Sequence, residues 1–598
     1  IYLCNMIIFN WDTNNNTTKN IAKLSLIRLP LNISKWNGIF YPLSFCLLLL
    51  FFSFNTISAQ DTSNSKSWKD KIISWKILKK PFDFLQSSNI KQPTAEMSIP
   101  VGFTDIEELI RDLQLAGKIA PNNALTIRPL YTNSDITYNK LLNLIDADIE
   151  NNNQLVNKPN FNISLLPINF TQKLTTHHPY GWNDGAFSSS KGYQFLIGGG
   201  VFIQWHKLKI QLRPEFVKTA SGNYETSGYW GAVTPSFKKI MPGQSSIRYD
   251  LGPLTVAAST ENMWWGPGIY NSMLMSNNAP GFLHYSINSN RPINTFAGSF
   301  QFQLQAGFLQ KDSTQGYENK RLYPAIINNG KRYYNSINVS YQPKFLKNVY
   351  FGLTRTFQNY TRLQSSNSNG FVYNYVPVFV AFFKNTYSDD TVKRDQVAAV
   401  SARWILPKEK AEMYFEFGFN DAKQNFRDLM MDMAHSSGYV WGFKKLKYIN
   451  ETQYLNFNIE MARLAQTTSY LHRNAGNWYE HGGISEGYTN LNQIMGGVSG
   501  FGNNMQALAM SYHSGWNKLG FIFQHIVQNP YDLVAGINEV GIRSIKWTDY
   551  SFGLQTRYHY KKILLSANME VIKAKNYIWK KDNNPTNLFF YINTIYLW

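Results

Sequence analysis

The feature that most constrains the fold is the alternation of apolar and polar residues in the C-terminal segment 548–598. Within 550–560, the Tyr, Phe, Leu and Thr side chains share one face, and Ser, Gly, Gln, Arg and His share the other. Successive side chains of a β-strand point to opposite faces, so this segment predicts a strand with one aromatic face and one polar face. The final strand, 588–598, ends on Trp598. Strands of about ten residues bordered by aromatic side chains are typical of outer-membrane β-barrels.

The same period of two recurs from residue 162 onward. It is clearest in 208–216, 300–308, 412–419 and 454–461, where the polar positions carry Glu, Arg, Gln, Asn or Lys. Beyond the first sixty residues, no apolar run is long enough to cross a bilayer as a helix. The pattern therefore predicts an all-β transmembrane barrel of antiparallel strands around a water-filled lumen.

The short connections allow the strands to be counted. Six tight turns are expected at the periplasmic end, at 206–207, 252–253, 343–348, 407–410, 514–517 and 561–562. Bacterial barrels have an even number of strands, so an even number must separate successive turns. This rule requires two weak strands near 281–289 and 466–472 and makes 371–383 a loop. The total is about 18 strands, with sixteen as an alternative. The long outer segments are then 173–192, 219–244, 262–280, 311–332, 359–392, 421–450, 473–500, 529–547 and 575–586.

The N-terminal residues 1–60 predict a leader rather than part of the fold. The apolar run 44–54 follows Lys35 and precedes small residues, which indicates a secretory signal cleaved near Ala59 or Gln60. Residues 1–35 are rich in Asn and are expected to precede the true translation start. Both cysteines, Cys4 and Cys46, lie in this leader, so the mature chain is expected to contain no disulfide, catalytic thiol or cysteine-ligated metal.

Residues 61–160 predict a small periplasmic helical domain that plugs or flanks the barrel, which occupies 161–598. A capping box at 104–107 starts one helix, and Gly117 is a reasonable stop. Its apolar face is formed by Ile106, Leu109, Ile110 and Leu113. Two further helices are expected at 135–149 and, more weakly, at 67–85.

Charge and loop composition indicate the kind of partner. The formal net charge is +20. Behind a secretory signal, acidic polysaccharide or lipopolysaccharide phosphate is a more suitable partner than nucleic acid. The outer segments are rich in Asn, Gly, Tyr, Trp and Ser. Aromatic faces can stack on sugar rings while amides bond to hydroxyls, although such loops also occur in barrels that bind no sugar.

The most distinctive stretch is 261–279 (ENMWWGPGIYNSMLMSNNA). An aromatic pair precedes a Gly-Pro-Gly turn, and a short apolar segment ends at an Asn pair. Gly and Pro fix an unusual backbone path, and Asn side chains can satisfy buried backbone groups.

This stretch resembles the capsule-assembly Wzi family of outer-membrane proteins. Residues 178–186 (HPYGWNDGA), 191–192, 213–216 (RPEF) and 115–117 (LAG) carry the same resemblance, which runs from about residue 95 to the C-terminus. It implies an 18-stranded barrel with a periplasmic helical bundle. It also implies a lectin-like role that holds secreted capsular or extracellular polysaccharide on the cell surface, with no catalysis known for the family.

These motifs supply two sets of candidate residues. Candidates for glycan binding are Trp264, Trp265, Trp182 and Tyr180. For the tryptophan pair, a place in the plug or girdle is the favoured alternative. Candidates for a structural role in the motif are Glu261, Gly266, Pro267, Gly268, Asn277, Asn278, Asn183 and Asp184. Glu261 could pair with Arg291 inside the lumen or lie in solvent.

Signals for catalysis are weak. Residues 483–487 fit a nucleophile-elbow pattern but lie in a Gly-rich loop rather than in a strand–turn–helix. Ser511 and His513 share a strand face without a supporting partner. The chain is therefore expected to be no enzyme and to need no cofactor or metal. The leading hypothesis is a polysaccharide-binding barrel, with export machinery as a possible partner, and a porin or transporter of other specificity is the alternative.

Overall fold

The computed structural model describes residues 97–598 in part. The gaps are 121–123, 132–152 except 143 and 145, 189, 221, 226–235, 312–330, 362–374, 380–393, 422–425, 468–475, 485, 498–499 and 529–544. The predicted signal at 44–60 and the predicted helix at 67–85 lie outside the described residues. Of the predicted helix at 135–149, Asn143 and Ile145 are described and are helical.

Strands dominate the described residues. In chain order they are β1 (Ser98–Ile99), β2 (Ile127–Arg128), β3 (Leu130–Tyr131), β4 (Gln154–Lys158), β5 (Phe161–Thr175), β6 (Gly192–Trp205), β7 (Leu208–Leu212), β8 (Glu215–Thr219), β9 (Phe237–Met241), β10 (Ser246–Leu251), β11 (Leu254–Ser259), β12 (Trp264–Trp265), β13 (His284–Ser289), β14 (Ile293–Asn294), β15 (Gly298–Leu309), β16 (Arg332–Pro343), β17 (Val349–Tyr360), β18 (Asp395–Leu406), β19 (Ala411–Phe419), β20 (Ser437–Tyr448), β21 (Gln453–Arg463), β22 (Thr489–Asn490), β23 (Gln493–Ile494), β24 (Asn504–Ser514), β25 (Asn517–Gln528), β26 (Trp547–Tyr560), β27 (Ile563–Lys575) and β28 (Thr586–Tyr596). The described helices are α1 (Thr104–Leu115), α2 (Phe426–Met431) and the short 3-10 helices Pro377–Phe379 and Tyr577–Trp579. No helix among these residues is both long and apolar enough to cross a bilayer.

One antiparallel sheet closes into a barrel. It contains every described strand except β1, β2, β3, β12, β22 and β23. The last strand pairs with β5, with Phe589 opposite Thr175 and Tyr596 opposite Ile168, and this pairing closes the sheet. The ladder is interrupted between β7 and β8 at Pro214 and between β9 and β10 at Pro242, since proline has no N–H to donate. Each of these pairs forms one crossing, and β4 and β14 are short additions. The described sheet therefore has 18 crossings, as the sequence predicted.

The connections define two ends of the barrel. The turn end carries short connections such as 206–207 and 561–562, and the loop end carries long ones such as 260–283. All six predicted tight turns connect barrel strands at the turn end. Along β26, Tyr550, Phe552 and Tyr558 are exposed on the outer face, and Ser551 and Arg557 are buried on the inner face. The predicted strand faces are confirmed.

The composition of the strand set differs from the prediction at one place. The weak strand expected near 281–289 is present as β13, but Gln466 and Thr467 lie outside any strand, and 468–472 are outside the described residues. The missing crossing is β20, which was predicted to be outer loop. Its inward positions include Val440 and Leu446, both buried. The inward face combines these apolar residues with Lys444, and the outward face combines aromatic residues with Lys445 and Lys447, so the apolar–polar alternation that reveals a half-buried strand is absent.

The prediction of a water-filled lumen is also wrong for much of the barrel. Inward side chains such as Gln211, Arg403 and Glu412 are fully buried. The N-terminal segment 97–131 and the connection 260–283 contact the inner wall and fill much of the interior. In the part of the chain that is described, the barrel is therefore plugged by its own sequence.

Candidate functional site

Helix α1 lies inside the barrel, with its apolar face on one side and an acidic edge on the other. The apolar face packs with Leu564 and Ile595 of the wall, and its predicted members are all buried, namely Ile106, Leu109, Ile110 and Leu113. The helix begins at Thr104, but no side-chain cap is formed, so the predicted capping box is absent. Glu107 instead forms an ion pair with Arg128 at 2.8 Å. Gly117 follows the helix with a φ of +72°, which suits a glycine after a helix end.

Buried ion pairs fix the helix to the wall. Arg111 contacts the carboxylate of Glu412, whose other oxygen lies 2.8 Å from the guanidinium of Arg403. Lys444 lies 2.5 Å from Asp112, and Lys518 lies 3.1 Å from Glu108. These carboxylates and cations neutralise each other, which a charge removed from water requires.

The basic residues of the wall also control the ionisation of Glu108 on the helix. Burial raises the pKa of Glu108, but Lys518, Lys444 and Arg557 together oppose burial and hold that pKa well below its usual value. Glu108 is therefore ionised at neutral pH, and it remains paired with Lys518 and Arg557.

The connection 260–283 forms a second layer above the helix. At its bend, the backbone N–H groups of Ile269 and Asn271 each donate to the carboxylate of Glu460 at 2.7 Å. The Asn271 amide and the Tyr414 hydroxyl donate to the same carboxylate at 2.9 and 2.7 Å. One wall residue thus satisfies consecutive backbone donors that the bend leaves unpaired.

The Gly-Pro-Gly turn lies between the helix and the wall. Arg111 donates to the carbonyl of Pro267 at 2.7 Å, and Arg128 donates to the carbonyl of Gly268 at 3.2 Å. Gly266 has a φ of +137°, and a Cβ there would overlap the Glu416 carboxylate. A Cβ on Gly268 would overlap the carbonyl of Asn271. The close approach of the backbone to its neighbours requires glycine at both positions.

The asparagines of the motif join the connection 260–283 to the loop 176–191. Asn277 donates to the carbonyl of Asn183 at 2.8 Å, and Asn183 donates to the carbonyl of Tyr270 at 2.9 Å. Asn277 also accepts from Asn262, and Asn278 donates to the carbonyl of Ile494 at 3.1 Å. These contacts bring two motifs that are far apart in sequence into one network.

The two acidic candidates have separate partners. Asp184 forms a buried ion pair with Lys173 of β5. Glu261 is buried and accepts from the hydroxyls of Ser98 and Ser259. It therefore neither lies in solvent nor shows an ion pair with Arg291.

The adjacent tryptophans have different environments. Trp265 is 1% exposed, packs in the main apolar cluster and donates from its indole to Gln303 at 2.9 Å. Trp264 is also buried, but its ring lies 5.0 Å from the Arg128 guanidinium, and its indole nitrogen has no hydrogen-bond partner among the described residues. Of the pair, Trp264 is the one beside open space.

That space is a cavity of about 260 Å³, called the chamber below. On the plug side it is lined by Tyr180, Trp182, Trp264 and Tyr270. On the wall side it is lined by polar residues of the last strands, including Gln555 and Asn568, which are only half-buried although they face inward. Three of the four predicted glycan candidates, Tyr180, Trp182 and Trp264, therefore meet here, and Trp265 does not.

Sequence reasoning missed three aromatic residues of the chamber. Tyr270 follows the Gly-Pro-Gly turn, and Phe589 and Tyr591 lie on the inward face of β28. Aromatic side chains at two successive inward positions of a barrel strand, between Asn587 and Asn593, were the available signal for Phe589 and Tyr591. For Tyr270, only the position of the folded turn supplies the information.

Ser511 and His513 do come together, with Ser511 Oγ 2.8 Å from His513 Nε2. The other ring nitrogen lies 3.4 Å from the Arg557 guanidinium, whereas a catalytic His requires a carboxylate there. Glu108, Asp112 and His513 are also close enough to share a metal ion. Their carboxylates are already paired with Lys444, Lys518 and Arg557, so this cluster is an ion-pair network.

The closed sheet, its lipid-facing aromatic surface and the plugged lumen define an outer-membrane β-barrel protein. The chain belongs to the Wzi capsule-assembly family, because residues 187–597 match the model of the family described as "Capsule assembly protein Wzi". No curated protein sequence matches the chain.

A solved structure shares the fold at low sequence identity. The Escherichia coli outer-membrane protein Wzi, described as a carbohydrate-binding β-barrel involved in group 1 capsule assembly, is 11% identical with a TM-score of 0.55. The alignment covers 85% of this chain and 99% of that one. A bacterial polysaccharide outer-membrane secretin (10% identity, TM-score 0.30, 73% and 98% covered) and a BenF-like porin from Pseudomonas fluorescens Pf-5 (8%, 0.37, 73% and 98%) also match.

Proposed function

We propose that this protein is a lectin-like barrel that binds exported capsular or extracellular polysaccharide and attaches it to the cell surface. Membership of the capsule-assembly family supports this role. The Escherichia coli relative is itself described as carbohydrate-binding. The polysaccharide would reach the loop end after export, so the export machinery and outer-leaflet lipopolysaccharide are the neighbours proposed for it.

The observation that carries the proposal is the composition of the chamber. Trp182, Trp264 and Tyr270 provide aromatic surface, and Gln555 and Asn568 provide amide donors and acceptors. Apolar walls with a few convergent polar groups are typical of small-ligand sites, and an amide can both donate to and accept from a hydroxyl. Trp182 belongs to the loop 176–191 at the loop end, so a sugar unit of a surface chain would enter from that side.

The attachment of the plug to the barrel wall disfavours the porin alternative. Ion pairs between the helix and Glu412, Lys444 and Lys518 fix the helix to the wall inside the barrel. A plugged barrel is expected to show little steady conductance in a planar bilayer. A large open conductance would favour the porin.

The first test of the proposal is a deletion strain whose surface polysaccharide is measured separately on washed cells and in the medium. Retention predicts that the polysaccharide is lost from the cells and recovered in the medium, because synthesis and export continue. Unchanged amounts in both fractions would refute the proposed role.

The chamber is tested with purified protein and polysaccharide from the producing strain. Gln555→Ala is expected to weaken binding by about tenfold, since a few contact residues at the centre of a site carry most of its energy. Leu554→Ala is the matched control, because Leu554 immediately precedes Gln555 in β26 but faces outward. Equal affinities for both variants and the unaltered protein would place the glycan outside the chamber. The deletion-strain measurement would then still test whether the protein retains polysaccharide on the cell surface.

A further inference from the structure

The exposed charge at the turn end of the barrel is mainly positive. Among the described residues of its turns and their borders, the exposed lysines are Lys158, Lys207, Lys344, Lys347, Lys408, Lys447 and Lys561. The exposed acidic residues there are Glu409 and Glu451. Glu409 is partly neutralised by Lys445, at 3.7 Å. Seven exposed lysines against two exposed acidic residues give the described part of this end a net positive charge.

These lysines form a belt around the circumference rather than a patch on one side. Lys207 lies between β6 and β7, Lys344 between β16 and β17, Lys408 between β18 and β19, and Lys561 between β26 and β27. The strand order places these turns at separate positions around the closed sheet. A partner that docks on one side could not contact all of them together.

Large apolar side chains stand beside the lysines of the belt. Trp205 precedes His206 and Lys207 and is 58% exposed, and Tyr560 precedes Lys561 and is 60% exposed. Phe345, between Lys344 and Leu346, is 56% exposed, and Ile449, two residues after Lys447, is 59% exposed. Aromatic and apolar side chains next to a flexible cation match the boundary between acyl chains and headgroups of a lipid leaflet.

We infer that this belt binds the headgroups of anionic phospholipids in the leaflet at the turn end of the barrel. A lipid leaflet surrounds the whole circumference, contacts every turn and offers both a hydrocarbon layer for the aromatic residues and phosphates for the lysines. Lysine is suited to this contact because its long stem can remain in the apolar layer while its ammonium reaches the phosphate. The belt would fix the depth of the barrel and select its lipid neighbours.

The inference is tested on the detergent-solubilised full chain, offered phosphatidylglycerol and phosphatidylcholine in equal amounts, with bound lipid counted by native mass spectrometry. The belt variant carries Lys207→Gln, Lys344→Gln, Lys408→Gln and Lys561→Gln. The control variant carries the same number of changes at the loop end: Lys238→Gln, Lys573→Gln, Lys575→Gln and Lys581→Gln. All these positions are exposed, so both variants are expected to fold, which heat-dependent gel mobility checks.

The unaltered protein and the control are expected to prefer phosphatidylglycerol, and the belt variant to lose that preference by about tenfold. Raising salt from about 0.05 M to about 0.5 M should remove the preference of the unaltered protein, because the contacts lie in water-accessible turns. Equal loss in both variants would show a general effect of net charge and overturn the inference. Loss of lipopolysaccharide or acidic-polysaccharide binding by the belt variant, with phosphatidylglycerol binding intact, would assign the belt to a different anion and also overturn it.

Discussion

The carboxylate of Glu460, on the inner wall of the barrel, accepts a hydrogen bond from the backbone N–H of Asn271 at 2.7 Å. The same group binds the N–H of Ile269 at 2.7 Å. This single wall residue therefore holds the bend of the family motif above the plug helix. The position of Tyr270, and with it one side of the chamber, depends on that contact.

Glu460→Gln is expected to lower the free energy of unfolding by about 3 kcal/mol. The amide loses the charge that strengthens several hydrogen bonds and presents an N–H₂ to backbone donors. Denaturant unfolding in detergent micelles measures the change, and hydrogen exchange at 266–275 locates it. Glu451→Gln, at an exposed turn position, is the control and should change little. Similar stability of the two variants would show that Glu460 does not anchor the motif.

Gly266→Ala is expected to be more damaging than Gly252→Ala. Both glycines have positive φ, +137° and +69°, so each substitution strains the backbone by about 1 kcal/mol. A Cβ at position 266 also overlaps the Glu416 carboxylate, whereas nothing lies within 4 Å of one at position 252. The unfolding midpoints of the two variants measure how much stability each substitution costs. A loss at 252 as large as that at 266 would contradict the steric explanation.

Glu412→Gln is expected to loosen the plug. The buried guanidinium groups of Arg111 and Arg403 lose their shared anion, and breaking such a group costs about 3–5 kcal/mol. Hydrogen exchange within Thr104–Leu115 should accelerate, and planar bilayers should show brief openings. Glu409→Gln, in the exposed turn that precedes β19, is the control and should change neither the exchange nor the conductance. Unchanged exchange in Glu412→Gln would mean that the apolar face of the helix holds it alone.

The loop 176–191 is expected to lose stability in acid because of His178. Burial, assisted by His177 and Lys191, lowers the pKa of His178 to about 3, against about 6.5 in an unfolded chain. Between those values the unfolded state binds a proton that the folded state does not. The stability is therefore complete above pH 6.5 and falls by about 1.4 kcal/mol per pH unit as the pH drops toward 3.

Hydrogen exchange in this loop at pH 7.5 and 5, corrected for the intrinsic effect of pH, measures that loss. His178→Phe removes the titration while keeping an aromatic ring against Tyr577, whose ring lies 4.6 Å from that of His178. The variant should show a smaller difference between the two pH values. An equal acid response in variant and unaltered protein would assign it to other groups.

Several features followed from the sequence because they are local. The period of two in 550–560 marks a strand whatever lies around it, and polar turns such as 561–562 mark where strands end. The count of 18 strands was right although β20 was missed and Gln466 and Thr467, the described residues of the strand expected near 466–472, lie outside any strand. The parity rule fixed the total, but it could not choose which weak segment was the strand.

The candidate site depended on contacts between distant parts of the chain. Trp264 and Trp265 are equivalent in the sequence, yet one faces Arg128 and the chamber and the other fills the core. The sequence did not reveal β20 because Val440 on its inward face packs in the main apolar cluster of the plugged lumen, so that face is not uniformly polar. The sequence by itself determined the barrel, its outer surface and the family. Only the tertiary structure decided which inward residues are dry and which line the chamber, because that depends on how the N-terminal segment and the connection 260–283 fill the lumen.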